Sequence, residues 1–281
     1  MKKIIALVSL LLIVLLAACG GEKDSNGKNA EGKESNVLVV GASSVPHAEI
    51  LEKAKPILEE KGITIKIEPY EDYILPNDDL ENGTLDANFF QHIPYLKDTV
   101  EKTGYDLDYV AGIHIEPMGV YSKEISNIDD IPNGTEVLLS NSVPDHGRIL
   151  TLFEANGLIK LDENVDKSKA TIDDIVENPK ELKFSPDYAA ELLPELYESE
   201  DDTLVVINTN FALQAGLDPQ KDSVFIEDGD SPYVNVIAVR SEDKNNENMK
   251  TLVEVLQSKE IQDFILEKYK GAVVPVGGES K

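Results

Sequence analysis

Four short strings place polar or aromatic side chains where they could do chemistry. In HGRIL (146–150) the spacing puts Arg148 in the first turn of a helix. A cation there opposes the positive end of the helix dipole, so it needs an anion beside it. Either a nearby carboxylate such as Asp145 or a ligand carboxylate held bidentately would serve. GASSVPHAEIL (41–51) sets small residues at a strand end ahead of Pro46 and a helix start. Backbone N–H groups exposed there suit an anion or a polar ligand. FFQHIPYL (89–96) gathers Phe89, Phe90 and Tyr95 around His92, although such aromatic stripes form cores more often than ligand walls. SPYVN (231–235) carries Asn235 within a strand, and Asn208 ends the β-rich run TLVVIN (203–208). Both asparagines also fit ordinary edge and turn positions.

Enzyme signatures are missing from the chain. It has no G-x-S-x-G elbow, no H-E-x-x-H and no glycine-rich phosphate loop of standard spacing. The histidines, His47, His92, His114 and His146, never stand three or four apart, so no helical metal pair arises. Carboxylates are too abundant for their spacing to carry weight. The expectation is a non-enzyme with no metal and no cofactor. An extracytoplasmic metal-dependent or hydrolytic enzyme is the alternative.

The N-terminus fixes the location. Lys2 and Lys3 precede an apolar run, Ile4 to Ala18, interrupted only by Ser9. It is too short and wrongly flanked for a membrane span and reads as a secretory signal over 1–18. Cys19, the chain's only cysteine, directly follows Leu16-Ala17-Ala18, which resembles a bacterial lipobox. That resemblance implies cleavage before Cys19 and its lipidation, so the membrane is reached through acyl chains. Residues 19–36 are polar and glycine-rich and read as a flexible tether. The full chain carries 26 basic and 53 acidic residues; without Lys2 and Lys3 the net charge is −29. Such acidity argues against nucleic acid as partner and against polybasic docking on anionic lipid. With a long polar tether, it favours the outer face of a Gram-positive cell membrane.

Elements that could position the four strings alternate from Val37 onward. Strand patterns occur at 37–42, 63–68, 109–122, 136–140, 203–208 and 233–240. Helical spacing joins Ile50, Leu51, Ala54, Ile57 and Leu58, with Pro56 implying a kink or an early break. Asn77-Asp78-Asp79 looks like a helix cap, Pro94 opens a helix running to Gly104, and 245–268 reads as helical. Such alternation indicates an α/β chain with mostly parallel sheets. Its length suits two lobes: 37–118 plus 236–281, and 119–235. The strands at 109–122 and 233–240 would cross between them, leaving a ligand cleft.

Longer strings then carry a family resemblance. GASSVPHAEIL (41–51), YEDYILPN (70–77), LDANFFQHIPYL (85–96), PMGVYS (117–122), VVINTNFALQAGL (205–217) and DSPYVNVIAVR (230–240) together resemble the methionine-binding lipoproteins, the NlpA-type substrate-binding components of ABC importers. The resemblance implies a two-lobed periplasmic-binding-protein fold closing on an amino acid. It also implies permease and ATPase subunits as partners, with methionine or a close derivative as ligand. By motif, Arg148 would clamp the ligand carboxylate, with Asn141 matching just upstream. Asn208 and Asn235 would bond the amino and carboxylate groups. Tyr73, Phe90, His92 and Tyr95 would wall the side-chain pocket. Two departures stand out. NSVPDHG (141–147) replaces the family's usual Asn-Asp-Pro-Thr-Asn, and Glu195 follows Leu193-Pro194 where arginine is usual. They leave L-methionine, D-methionine, the sulfoxide and a methionine dipeptide open as ligands.

Overall fold

Alternating side chains along β1 (Val37–Ser43) build the first layers. In the computed structural model, which describes residues 36–229 and 231–278, Leu38, Val40 and Ala42 enter one apolar core while Val39 packs against the other. The signal segment, Cys19 and all of the tether except Asn36 lie outside the described residues. The remaining strands are β2 (Thr64–Tyr70), β3 (Ala87–Phe89), β4 (Leu107–Ile115), β5 (Gly119–Tyr121), β6 (Glu136–Ser140), β7 (Lys160–Leu161), β8 (Ile175–Glu177), β9 (Lys183–Tyr188), β10 (Leu204–Ile207), β11 (Ser223–Ile226), β12 (Val234–Arg240) and β13 (Val274–Pro275). The helices are α1 (Glu49–Glu60), α2 (Leu75–Glu81), α3 (Ile93–Thr103), α4 (Val143–Ala155), α5 (Leu193–Ser199), α6 (Thr209–Gln214), α7 (Pro219–Asp222), α8 (Glu247–Leu256) and α9 (Lys259–Tyr269). Among the described residues, no helix is long and apolar enough to cross a membrane.

Two larger sheets result, ordered β13-β4-β12-β3-β1-β2 and β11-β5-β10-β6-β9. Both are mixed rather than mostly parallel. β12 inserts antiparallel between β3 and β4, and β5 runs antiparallel to β10. Each sheet is apolar on both faces, as a sheet covered on two sides must be. Ile237 and Val239 of β12 face the core under α1, α8 and α9, whereas Val236 and Ala238 face the opposite one. In β10, Leu204 and Val206 pack towards α4, and Val205 and Ile207 towards α5 and α6.

The stretch 109–122 is two strands, β4 in the first sheet and β5 in the second. Glu116, Pro117 and Met118 lie between them. The other passage runs from the end of β11 at Ile226 to the start of β12 at Val234.

Several local readings shift. α1 continues through Pro56 to Glu60; Pro56 is exposed, so water can serve the carbonyl that loses its helical partner. Asn77 does not cap α2: the N-cap position is Ile74, and Asp72, two residues earlier, accepts through Oδ1 from Ile74 N at 2.7 Å and Leu75 N at 2.8 Å. Asn77 instead sits inside the helix, buried among Asn88 and Gln91. The C-terminal helical stretch is divided at Gln257-Ser258 into α8 and α9.

Candidate functional site

β3 ends at Phe89, and the next residues turn inward as Phe90, Gln91 and His92 before α3 starts. His92 is the N-cap of α3: its Nδ1 accepts from Tyr95 N at 3.1 Å. That leaves the ring proton on Nε2, which donates to Asp145 Oδ1 at 2.9 Å. The bond ties the end of the first sheet to α4 beside the second. Tyr73 makes a parallel tie, its hydroxyl donating to Asn210 Oδ1.

Between these ties lies a cavity enclosing about 410 Å³ of space, its open mouth included. Tyr73, Phe90, His92, Tyr95, Arg148, Asn208 and Asn235 all line it. These are seven of the eight residues expected from sequence. Asn141 does not. It is exposed, its N–H bonds the Tyr188 carbonyl at 2.8 Å, and it lines a separate, wider pocket. The reason is that α4 begins at Val143, carrying Asn141 outside the first turn. The same early start moves Arg148 to the second turn. Asp145 takes the first-turn position, where the helix dipole favours an anion. Glu195 is exposed in the first turn of α5 and does not line the cavity.

Arg148 already has an anion, and it is Glu227. Nε donates to Glu227 Oε2 at 3.0 Å, and Nη2 donates both to that carboxylate and to the Glu116 carbonyl, the latter at 2.7 Å. Glu227 is fixed in turn by Ser231 Oγ at 3.0 Å and Met118 N at 3.2 Å. The guanidinium carbon stands 4.5 Å from the Tyr233 ring centroid, a stacking that suits arginine. Nη1 has no hydrogen-bond partner among the described residues. Gly147, the preceding residue, allows the 167–169 turn to approach α4; a Cβ there would overlap the Lys167 carbonyl.

Two carboxylates inside the cavity were missed from sequence. Asp145 is 1 % exposed and Glu116 7 % exposed. Burial pushes Asp145 up, yet the His92 hydrogen bond, the nearby Arg148 charge and Asn208 bring its carboxyl down to about 2. Burial raises Glu116 above the ordinary carboxylate value, with His47 and Arg148 opposing. In the sequence Asp145 reads only as a partner for Arg148, and Glu116 is one of many acidic residues. A usable signal was the Glu-Pro pair at the break between β4 and β5.

The cavity also has an aromatic wall. Ring centroids of Tyr73, Phe90 and Tyr95 form a triangle with sides of 5.9, 6.0 and 6.0 Å. Phe211 stands 5.1 Å behind Tyr73, and Met118 adds a thioether wall. Burial raises the Tyr73 phenol well above its ordinary value, so it stays a neutral donor.

Sequence separation hid a third cluster. His47, His114 and Glu116 have ligand atoms within 4.8 Å of one another, a set that a metal ion could use. Yet neither His Nδ1 has a hydrogen-bond partner among the described residues. Metal on both Nε2 atoms would drive the ring protons onto Nδ1 and bury two unpaired N–H groups, unlike the supported imidazoles of metal sites.

Known proteins resemble this chain along nearly its whole length. Residues 38–277 match the NlpA lipoprotein family. The methionine-binding lipoprotein MetQ of Bacillus subtilis is 44% identical over 280 residues, covering 98% of this chain and 99% of that protein. A pheromone cOB1 precursor/lipoprotein of the YaeC family from Enterococcus faecalis superposes with a TM-score of 0.83 at 50% identity, over 85% of this chain and 100% of that one. A nutrient-binding protein from Burkholderia cenocepacia, solved bound to methionine, gives 0.79 at 38% identity, over 85% and 99%.

Proposed function

This chain belongs to the NlpA lipoprotein family, and on that premise we propose that it is a substrate-binding protein that captures methionine and delivers it to an ABC importer. The observation that carries the reading is the mixed lining of the cavity. It sets a cation, Arg148, near two carboxylates, Asp145 and Glu116, and adds a triangle of aromatic rings. A ligand with a carboxylate, an ammonium group and a soft apolar tail matches both parts of that lining. The ligand carboxylate takes Arg148 Nη1, while Glu227 holds the guanidinium from behind. Asn208 and Asn235 bond its polar groups. The ammonium group faces Glu116 and Asp145, which offsets the excess negative charge they bring to a buried site. The thioether lies among Tyr73, Phe90 and Tyr95, each sulfur–ring contact contributing about 0.3–1.5 kcal/mol.

The segments 37–118 plus 236–281 and 119–235 act as two lobes that open and close on the ligand, with His92–Asp145 and Tyr73–Asn210 as ties in the closed form. No covalent step is involved, and the role is not enzymatic. Cleavage after Ala18 and lipidation of Cys19 anchor the protein on the outer face of the cell membrane, a Gram-positive one by the tether and charge. L-Methionine fits the reading first, and D-methionine, the sulfoxide and a methionine dipeptide are its variants.

Mass spectrometry of small molecules released by denaturing the freshly purified protein tests the ligand: methionine is expected, and a different amino acid overturns the assignment. For the anchor, labelled palmitate should be incorporated by the unaltered chain and not by Cys19→Ser. Labelling of the serine variant would remove Cys19 from that role.

A further inference from the structure

His47 and His114 are fully buried, are far apart in sequence and do no work in the binding scheme above. Both aim Nε2 at one atom. His114 Nε2 lies 2.7 Å and His47 Nε2 3.1 Å from Glu116 Oε1. His47 Nε2 is also 3.2 Å from Asn235 Oδ1. Phe89 fixes the pair, its ring centroid 4.6 Å from His47 and 5.1 Å from His114. Glu116 and Asn235 both line the cavity; neither imidazole does.

Each Nε2 faces an oxygen acceptor, whereas neither Nδ1 faces one among the described residues, and this contrast favours the proton on Nε2. A proton on Nδ1, or an imidazolium, would bury an N–H without an acceptor. A proton on Nε2 leaves only an unused lone pair, gives Glu116 a donor from His114, and lets His47 donate to Asn235 Oδ1 with the Glu116 carboxylate close beside it. Burial also holds both rings neutral, with His47 lowered to about 4 and His114 to about 3. The shared Nε2–H of His47 turns Asn235 Oδ1 away from the ligand, leaving that amide's NH2 group as its donor to the cavity.

We propose that His47 and His114 are positioning residues that hold Glu116 as an aimed anion behind the ligand's ammonium group, and that His47 also sets the orientation of Asn235. This rests on the reading of the cavity as an amino-acid site. In acid the cluster takes up a proton, the charge facing the ammonium group falls, and binding weakens. The other ionisable groups around it are Arg148, Asp145, His92 and Tyr73 at the cavity, with Tyr269, Glu49 and Lys268 behind. None of these donates a hydrogen bond to the Glu116 carboxylate among the described residues.

L-Methionine and its α-hydroxy analogue, in which a hydroxyl replaces the ammonium group, separate positioning from mere packing. Calorimetry at neutral pH should show H114L and E116Q each losing about tenfold or more in methionine affinity, and no more than about twofold for the hydroxy analogue. H114L added to E116Q should weaken methionine no further, because His114 acts only through that carboxylate. H114Q, which returns a donor, should recover most of the loss. H114L should also move the acid limb of methionine affinity to higher pH, since removing a donor to the anion makes it easier to protonate. Equal losses for both titrants, or an unmoved acid limb, would overturn the proposal.

Should the unaltered protein bind no methionine, the ligand assignment fails, and imidazole nitrogen spectra still decide the positioning claim. Both rings should be neutral with the proton on Nε2, and E116Q should shift both. A proton on Nδ1 of either ring, or an imidazolium at neutral pH, overturns it.

Discussion

The polar and aromatic ends of the cavity are built on different plans. At the polar end every charge is met from behind: Arg148 by Glu227, Asp145 by His92, and Glu116 by His47 and His114. Its residues come from both sheets and from the passages between them. The aromatic triangle comes from one side only, where Tyr73 precedes α2 and Phe90 and Tyr95 flank the start of α3. Charges in a buried site are costly unless held, and rings are not. In the proposed function the polar end would therefore recognise an amino acid through fixed geometry, and the aromatic end would select its side chain through shape and softness.

The sharpest way to break that contrast is Arg148→Ala. It removes the ligand's cation and leaves Glu227 half-buried without its partner, so methionine affinity should fall by about 100-fold or more in calorimetry. Phe90→Ala should cost less, about ten- to 100-fold, and should narrow the preference for methionine over smaller apolar amino acids. Affinity unchanged in the first variant, or an equal loss for all amino acids in the second, would dissolve the division of labour.

A smaller effect concerns stability. His47 and His114 titrate in the unfolded chain near 6.5, and in the folded protein near 4 and 3. Between those values the unfolded chain binds more protons, so stability rises with pH, by at most about 1.4 kcal/mol per pH unit for each histidine. The raised carboxyl of Glu116 acts in the opposite sense and flattens the slope. Urea titrations from pH 6.5 to 4 should show stability falling with acid, and H114Q should flatten the fall. An unchanged slope would place the loss elsewhere. Smallest of all is Asn141→Ala, which should alter affinity by less than about twofold, because that residue lines a separate pocket and not the cavity.

Sequence reading reached the aromatic end more easily than the polar one. FFQHIPYL is contiguous, so three of the wall residues arrive in a single string. Arg148 also declared itself, as a cation near a helix start, but its true partner Glu227 stands on the far side of β11, beyond any local pattern. Glu116 and Asp145 were two acidic residues among 53, and only tertiary placement separates them from a solvated surface. His47 and His114 meet because β1 and β4 belong to one sheet, which periodicity cannot reveal. The α/β alternation was plain in the apolar spacing, whereas the antiparallel insertion of β12 depends on long-range pairing. Pro56 misled because its cost depends on exposure, which the sequence does not display.

The most direct measurement is a calorimetric titration of the Asn36–Lys281 unit with L-methionine, after unfolding and refolding to strip any carried ligand. The chain has no tryptophan, so heat is a better signal than intrinsic tryptophan fluorescence. D-methionine, methionine sulfoxide and Gly-Met are run in parallel. One site per chain, binding L-methionine at about micromolar or tighter, near −8 kcal/mol, is the expected result. No heat from any of the four at millimolar concentration would contradict the account.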